Sequence, residues 1–150
     1  DAQIPAEKIK VIYNGVDKNL FQPVHRHSAI AQLQLAADRR VVLFVGNLKR
    51  EKGCVDLLEA FAAISADNPD VDLYYIGAGS QADLLLARTT EQELQSRVIL
   101  LGSLGHEQLK LWMNAASVVS LPSYNEGVPN VLLEAMAKTE NQGCQFIETG

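Results

Sequence analysis

The chain has two cysteines, no long apolar run and no cluster of basic residues. Two cysteines, Cys54 and Cys144, build neither a disulfide framework nor a metal cluster. Each reads as a small core residue in a reducing compartment. No apolar run approaches the length needed to span a bilayer, and no signal-peptide pattern opens the chain, so the expectation is a soluble, cytoplasmic protein. Net charge is −5, with lysines and arginines dispersed. A nucleic-acid surface needs clustered positive charge, so nucleic acid is not expected as a partner. Two named phosphate motifs are missing as well. The P-loop spacing G-x4-GK[ST] is absent, and no G-x-G-x-x-G follows the first apolar strand. The second strand also ends without an acid, at Tyr75-Ile76-Gly77, which argues against a dehydrogenase-type domain. The one Asp-x-Asp spacing, Asp70-Val-Asp72, is not read as a metal motif, and there is no internal repeat and no low-complexity segment.

What is present fits one globular α/β domain: 150 residues, 47% hydrophobic and 21% charged. Val41–Val45 is a continuous β-prone apolar run, as expected of a strand buried on both faces of a parallel sheet. Val71–Ile76, Val98–Leu101 and Ser117–Leu121 read as further strands. Between them lie helical patterns over Val55–Ile64, ended by Asn68-Pro69, and through Leu109, Trp112 and Ala116. A helix after Gly77-Ala-Gly79 is expected to be capped by Ser80, with Asp83 three residues on. Ser28–Leu35 reads as a short helix capped by Ser28. His25 and His27 flank Arg26, lack a third metal ligand nearby and are expected to be solvated linker residues. Strands alternating with helices predict a parallel sheet covered by helices on both faces.

Two loops carry the chemistry. Gly46-Asn-Leu-Lys-Arg-Glu-Lys-Gly53 follows the first strand, at the end where open α/β sheets bind ligands. Three basic residues between two glycines make it an anion-site candidate, although a solvated loop face is the commoner role of Lys49 and Arg50. The second stretch runs from Ser120 to Ala137. Val128, Val131, Leu132, Ala135 and Met136 share one helix face, and Pro129 suits a first helical position. The unpaired N–H groups at such a helix tip stabilise a phosphate without any lysine. Glu126 lies in the loop and Glu134 lies in the helix, four residues beyond Asn130. Helix side chains lean toward the N-terminus, so Glu134 can reach back to the tip and accept hydrogen bonds from sugar hydroxyls. Spacing alone is met more often by two solvated glutamates.

Glu126-Gly-Val-Pro-Asn-Val-Leu-Leu-Glu134-Ala-Met-Ala resembles the E-x7-E signature of retaining glycosyltransferases of family 4, also called glycosyl transferases group 1. The resemblance extends over most of residues 9–137. Residues 9–23 resemble the family's passage across its interdomain hinge, and the Gly46–Gly53 loop resembles its "vGrL…eKG" loop. It implies a Rossmann-like sheet of order 3-2-1-4-5, forming the nucleotide-sugar-binding half of a GT-B fold. Residues 1–23 would be a hinge segment and 24–150 the binding domain, incomplete at its C-terminus. Gly143–Thr149 would supply the fifth strand, with Phe146 and Ile147 as its apolar pair.

The resemblance also implies roles. Glu126 would contact donor-sugar hydroxyls and Glu134 the ribose. Lys52 and the amides of Gly127, Val128, Asn130 and Val131 would meet the diphosphate, with Glu126 and Lys52 as the catalytic pair. Gly46 and Asn47 would line the donor cleft, and Leu104 would hold the base through its backbone. Asn47 stands where the family often has Arg, so one guanidinium contact is lacking. The expected substrate is a nucleoside diphosphate sugar, used without metal or other cofactor. The expected partner is an N-terminal acceptor domain, without which this chain would bind donor but not transfer. Any peripheral attachment to the inner face of a membrane would come through that other half, and a surface left uncovered by its absence could drive self-association. A non-catalytic nucleotide-binding module and a GT-B sugar phosphorylase are the alternatives.

Overall fold

The computed structural model describes residues 25–124 in full and residues 145–148 as a backbone strand. The expected hinge segment, residues 1–23, lies outside the described residues. In chain order the elements are α1 (Arg26–Gln32), β1 (Arg40–Val45), α2 (Cys54–Ser65), β2 (Val71–Ile76) and α3 (Ala82–Glu91). Then come β3 (Val98–Leu100), α4 (His106–Ala115), β4 (Val118–Leu121) and β5 (Gln145–Glu148). The five strands form one parallel sheet of order β3-β2-β1-β4-β5, as the family resemblance implies.

The alternation of side chains along the central strands builds two cores. Phe44 of β1 and Val71, Leu73 and Tyr75 of β2 face one way, onto Leu58 and Phe61 of α2 and Leu85 of α3. Val41, Leu43 and Val45 face the other way with Ile76, onto Trp112 and Met113 of α4. A strand lined on both sides in this manner has no polar face, which is why β1 reads as an unbroken apolar run. Tyr74 packs against Trp112, with ring centroids 4.5 Å apart. Tyr75 is fully buried, and burial pushes its phenol far above the ordinary range. Its hydroxyl donates to the Cys54 carbonyl at 2.8 Å, fastening the first turn of α2 to the sheet.

Three local expectations are corrected. α1 begins at Arg26 with His25 as its N-terminal flanking residue, so Ser28 lies inside the helix and its hydroxyl accepts from Gln32 Nε2 at 3.1 Å. His27, expected in a linker, lies within α1, though both it and His25 are exposed as expected. The Arg26 guanidinium beside them donates to the Ala115 carbonyl at 3.2 Å and to Ser117 Oγ at 3.1 Å, tying α1 to the end of α4. The third correction concerns α3, which begins at Ala82 after Gln81 and has no side-chain cap, so Ser80 does not cap it. The Gln81 N–H is instead taken by the Leu48 carbonyl at 2.9 Å. His106 opens α4 and is exposed, as a helix-start histidine should be.

The amino edge of the sheet is closed by arginines. Arg39 pairs with the buried Asp72, and Arg40 with Asp70 at 2.6 Å. Arg97 donates to the carbonyls of Ser65, Asn68 and Val71, and its guanidinium lies 5.3 Å over the Phe61 ring. Arg40 holds the Asp70 carboxyl below its usual range, although that pair is solvent-exposed and contributes little. The buried phenol bond is the more telling test of the packing. Tyr75→Phe removes one buried hydrogen bond and no ring contact, so unfolding free energy should fall by about 1 kcal/mol. Chemical denaturation measures this, with an unchanged slope marking an intact fold.

Candidate functional site

A parallel sheet gathers the exits of its strands along one edge, and here those loops are sewn to one another by backbone. The Gly46 N–H donates to the Ile76 carbonyl at 3.0 Å, and the Gly77 N–H to the Gly102 carbonyl at 2.8 Å. The Leu48 N–H donates to Ala78 at 3.0 Å. Close approach explains two of the glycines. A Cβ on Gly77 would sit 1.9 Å from the Gly46 carbonyl oxygen, and one on Gly79 would sit 2.3 Å from that of Leu48. Leu48 itself is buried, an apolar peg that roots an otherwise polar loop in the core beneath α2 and α3.

The loop after β1 closes with a 3-10 turn over Arg50–Lys52 and then Gly53 in the left-handed region, at φ 63°. Lys52 therefore stands on the last rung before α2 begins. Its neighbours on both sides touch the exit of β4. The Glu51 carbonyl accepts the Tyr124 N–H at 2.9 Å. A Cβ on Gly53 would lie 1.9 Å from the Pro122 carbonyl oxygen. In the first turn of α2, Asp56 Oδ2 accepts the Tyr124 hydroxyl at 2.8 Å.

The sequence-derived residues fall on this structure as follows. Gly46, Asn47, Lys52 and Leu104 all lie in loops at the carboxyl edge. Asn47 is exposed, and Leu104 packs its side chain against the α4-side core. Lys49 and Arg50 are exposed, and Lys49 reaches Glu51 at 4.0 Å, in keeping with a solvated loop face. Glu126, Gly127, Val128, Asn130, Val131 and Glu134 lie outside the described residues. Sequence periodicity singles out neither Leu48 nor the Tyr124–Asp56 pair. An apolar residue inside a glycine-bounded polar loop was the available sign of the first. The second joins residues 68 positions apart and left no local sign.

Cys54 is buried and burial raises its thiol, which marks a core residue rather than a nucleophile. An adjoining groove of about 590 Å³ lies between α2 and the sheet, lined by residues including Val42, Leu57, Ala60, Phe61 and Val118, and by Asp56, Pro122 and Tyr124 at its end nearest the Lys52 loop. Its described lining is apolar apart from Asp56, Ser120 and Tyr124, and offers a diphosphate no cation. No described helix is long and apolar enough to cross a membrane.

Residues 25–139 match the family model described as glycosyl transferases group 1. The D-inositol 3-phosphate glycosyltransferase of Mycobacterium tuberculosis is 34% identical over 135 residues, which is 87% of this chain and 27% of that protein. Anabaena HepE, solved in complex with UDP and glucose, aligns with a TM-score of 0.76 at 32% identity, over 89% of this chain and 37% of that one. The C-terminal domain of LpcC, a glycosyl transferase group 1 family protein from Francisella tularensis, aligns with a TM-score of 0.75 over 89% of this chain and 70% of that one. At 23% identity it speaks to the fold alone. The chain thus spans 27% of the length of the curated relatives it matches.

Two glycines separate backbone strain from backbone collision. Gly53 and Gly102 both have left-handed φ, 63° and 71°, but a Cβ on Gly102 meets nothing within 4 Å. Gly102→Ala should therefore cost only the strain of the left-handed region, about 1 kcal/mol. Gly53→Ala must also push Pro122 away, and thermal unfolding should show at least twice that loss.

Proposed function

The chain belongs to the glycosyl transferases group 1, and on that premise we propose that it is the donor-binding part of a retaining glycosyltransferase of family 4. The whole enzyme would move a sugar from a nucleoside diphosphate to an acceptor hydroxyl and keep the anomeric configuration. The observation that carries the reading is the carboxyl edge itself, where backbone contacts bind the loop holding Lys52 to the exits of β2 and β4.

The physical problem in such a transfer is the leaving group. As the glycosidic bond breaks, negative charge accumulates on the diphosphate, and a positive group already in place stabilises it without reorganisation. Lys52 is the side chain we assign to that task, with the amides after Gly127 as its counterpart. Glu126 is assigned to the donor-sugar hydroxyls and Glu134 to the ribose. Gly46, Asn47 and the backbone at Leu104 complete the donor cleft. The reaction as proposed draws on no metal or other cofactor. HepE binds UDP and UDP-glucose, which supports uridine nucleotides as the first donors to try. Acceptor recognition, and any attachment to a membrane face, belong in this reading to an N-terminal half outside the present chain. The chain alone should bind donor and turn over little or none.

Calorimetry with UDP, GDP and ADP and their sugars tests this. UDP should bind, and Lys52→Ala and Glu134→Ala should each weaken it by about tenfold or more, the loss of one charge-assisted contact. Unchanged affinity in either variant would remove that residue from the site. Turnover of the full-length protein that depends on inorganic phosphate would instead identify a phosphorylase.

A further inference from the structure

Lys52 sits in a loop whose conformation is set from outside, and the residues that set it lie in the segment that follows β4. The peptide units on either side of Lys52 are both engaged by the exit of β4: the Glu51 carbonyl by the Tyr124 N–H, and Gly53 by the Pro122 carbonyl. Main-chain contacts of this kind hold the two segments at one distance. The Tyr124 hydroxyl adds a side-chain contact by bonding Asp56, one turn beyond Lys52 on α2.

We propose that Tyr124 and Asp56 form a positioning clasp for Lys52, holding its ammonium where a donor diphosphate is bound. This rests on the reading of Lys52 given above. The geometry favours such a role over simple stability. Tyr124 is 63% exposed, so its ring buries little apolar surface and adds little to the core. Asp56 is exposed as well, on the first turn of α2. A solvent-facing phenol held 2.8 Å from a carboxylate orients chain segments more than it stabilises the fold. The bond also pushes the Tyr124 phenol above its ordinary range. The clasp predicts something a purely structural tyrosine does not: its loss should be felt by the diphosphate and not by the nucleoside.

The test measures UDP and uridine binding to the present chain, by calorimetry and by ligand-detected NMR. Tyr124→Phe should weaken UDP by about three- to tenfold, the range for one partly exposed hydrogen bond, and leave uridine unchanged. Asp56→Ala should match it, whereas Asp56→Asn, which keeps an acceptor oxygen, should restore binding to within about twofold. In a Lys52→Ala background, Tyr124→Phe should have no further effect, because it acts through the lysine. The clasp is overturned if Tyr124→Phe binds UDP as the parent does, weakens UDP and uridine alike, or adds its full factor to that of Lys52→Ala. Should Tyr124→Phe fold poorly, Asp56→Ala and Asp56→Asn carry the comparison from the other partner. A parent chain that binds no UDP, GDP or ADP refutes the donor-site reading, and the clasp with it. Binding by the parent with unaffected clasp variants refutes the clasp alone.

Discussion

Backbone pressed against backbone closes the carboxyl edge of this sheet. Gly77 lies against the Gly46 carbonyl, Gly79 against that of Leu48, and Gly53 against that of Pro122. At each place a single methyl group would collide with a carbonyl oxygen. The loops after β1, β2 and β4 are thus held at fixed spacing by the main chain.

The two edges of the sheet differ in how they treat charge. At the amino edge, Arg39, Arg40 and Arg97 meet carboxylates or carbonyls, and these contacts order the starts of β1, β2 and β3. At the carboxyl edge, Lys49, Arg50 and Lys52 stand within one short loop, with Glu51 as the acid among them. Side-chain contacts of the arginines hold the strand starts, whereas backbone contacts hold the lysine loop. That division, together with membership in a glycosyl transferase family, makes an anionic ligand at the carboxyl edge the economical reading.

Much of this was legible in the sequence because burial on both faces is an unambiguous signal. Val41–Val45 reads as a strand buried on both faces, and the structure places it at the centre of the sheet. The order of the strands was legible only through resemblance, since periodicity says nothing about which strands are neighbours. Helix ends were misread where tertiary contacts overrode local chemistry. Ser80 is a good cap by type, yet the Leu48 carbonyl takes the Gln81 N–H and moves the start of α3 onward. The role of Arg26 left no local sign because its partners, Ala115 and Ser117, are distant in the chain. Tyr124 and Asp56 escaped for the same reason. Of the expected site, Gly46, Asn47, Lys52 and Leu104 lie together on one edge, while the Glu126–Glu134 stretch lies outside the described residues.

The central claim is that a nucleoside diphosphate binds at the carboxyl edge, beside Lys52. Backbone amide shifts of labelled protein, followed by NMR during titration with UDP, test it residue by residue. The account predicts shifts concentrated at Gly46, Asn47, Lys52, Gly53 and Leu104, with Arg40 and Arg97 at the opposite edge unmoved. Shifts confined to the apolar groove at Ala60, Phe61 and Val118, or to the arginine edge, would contradict it.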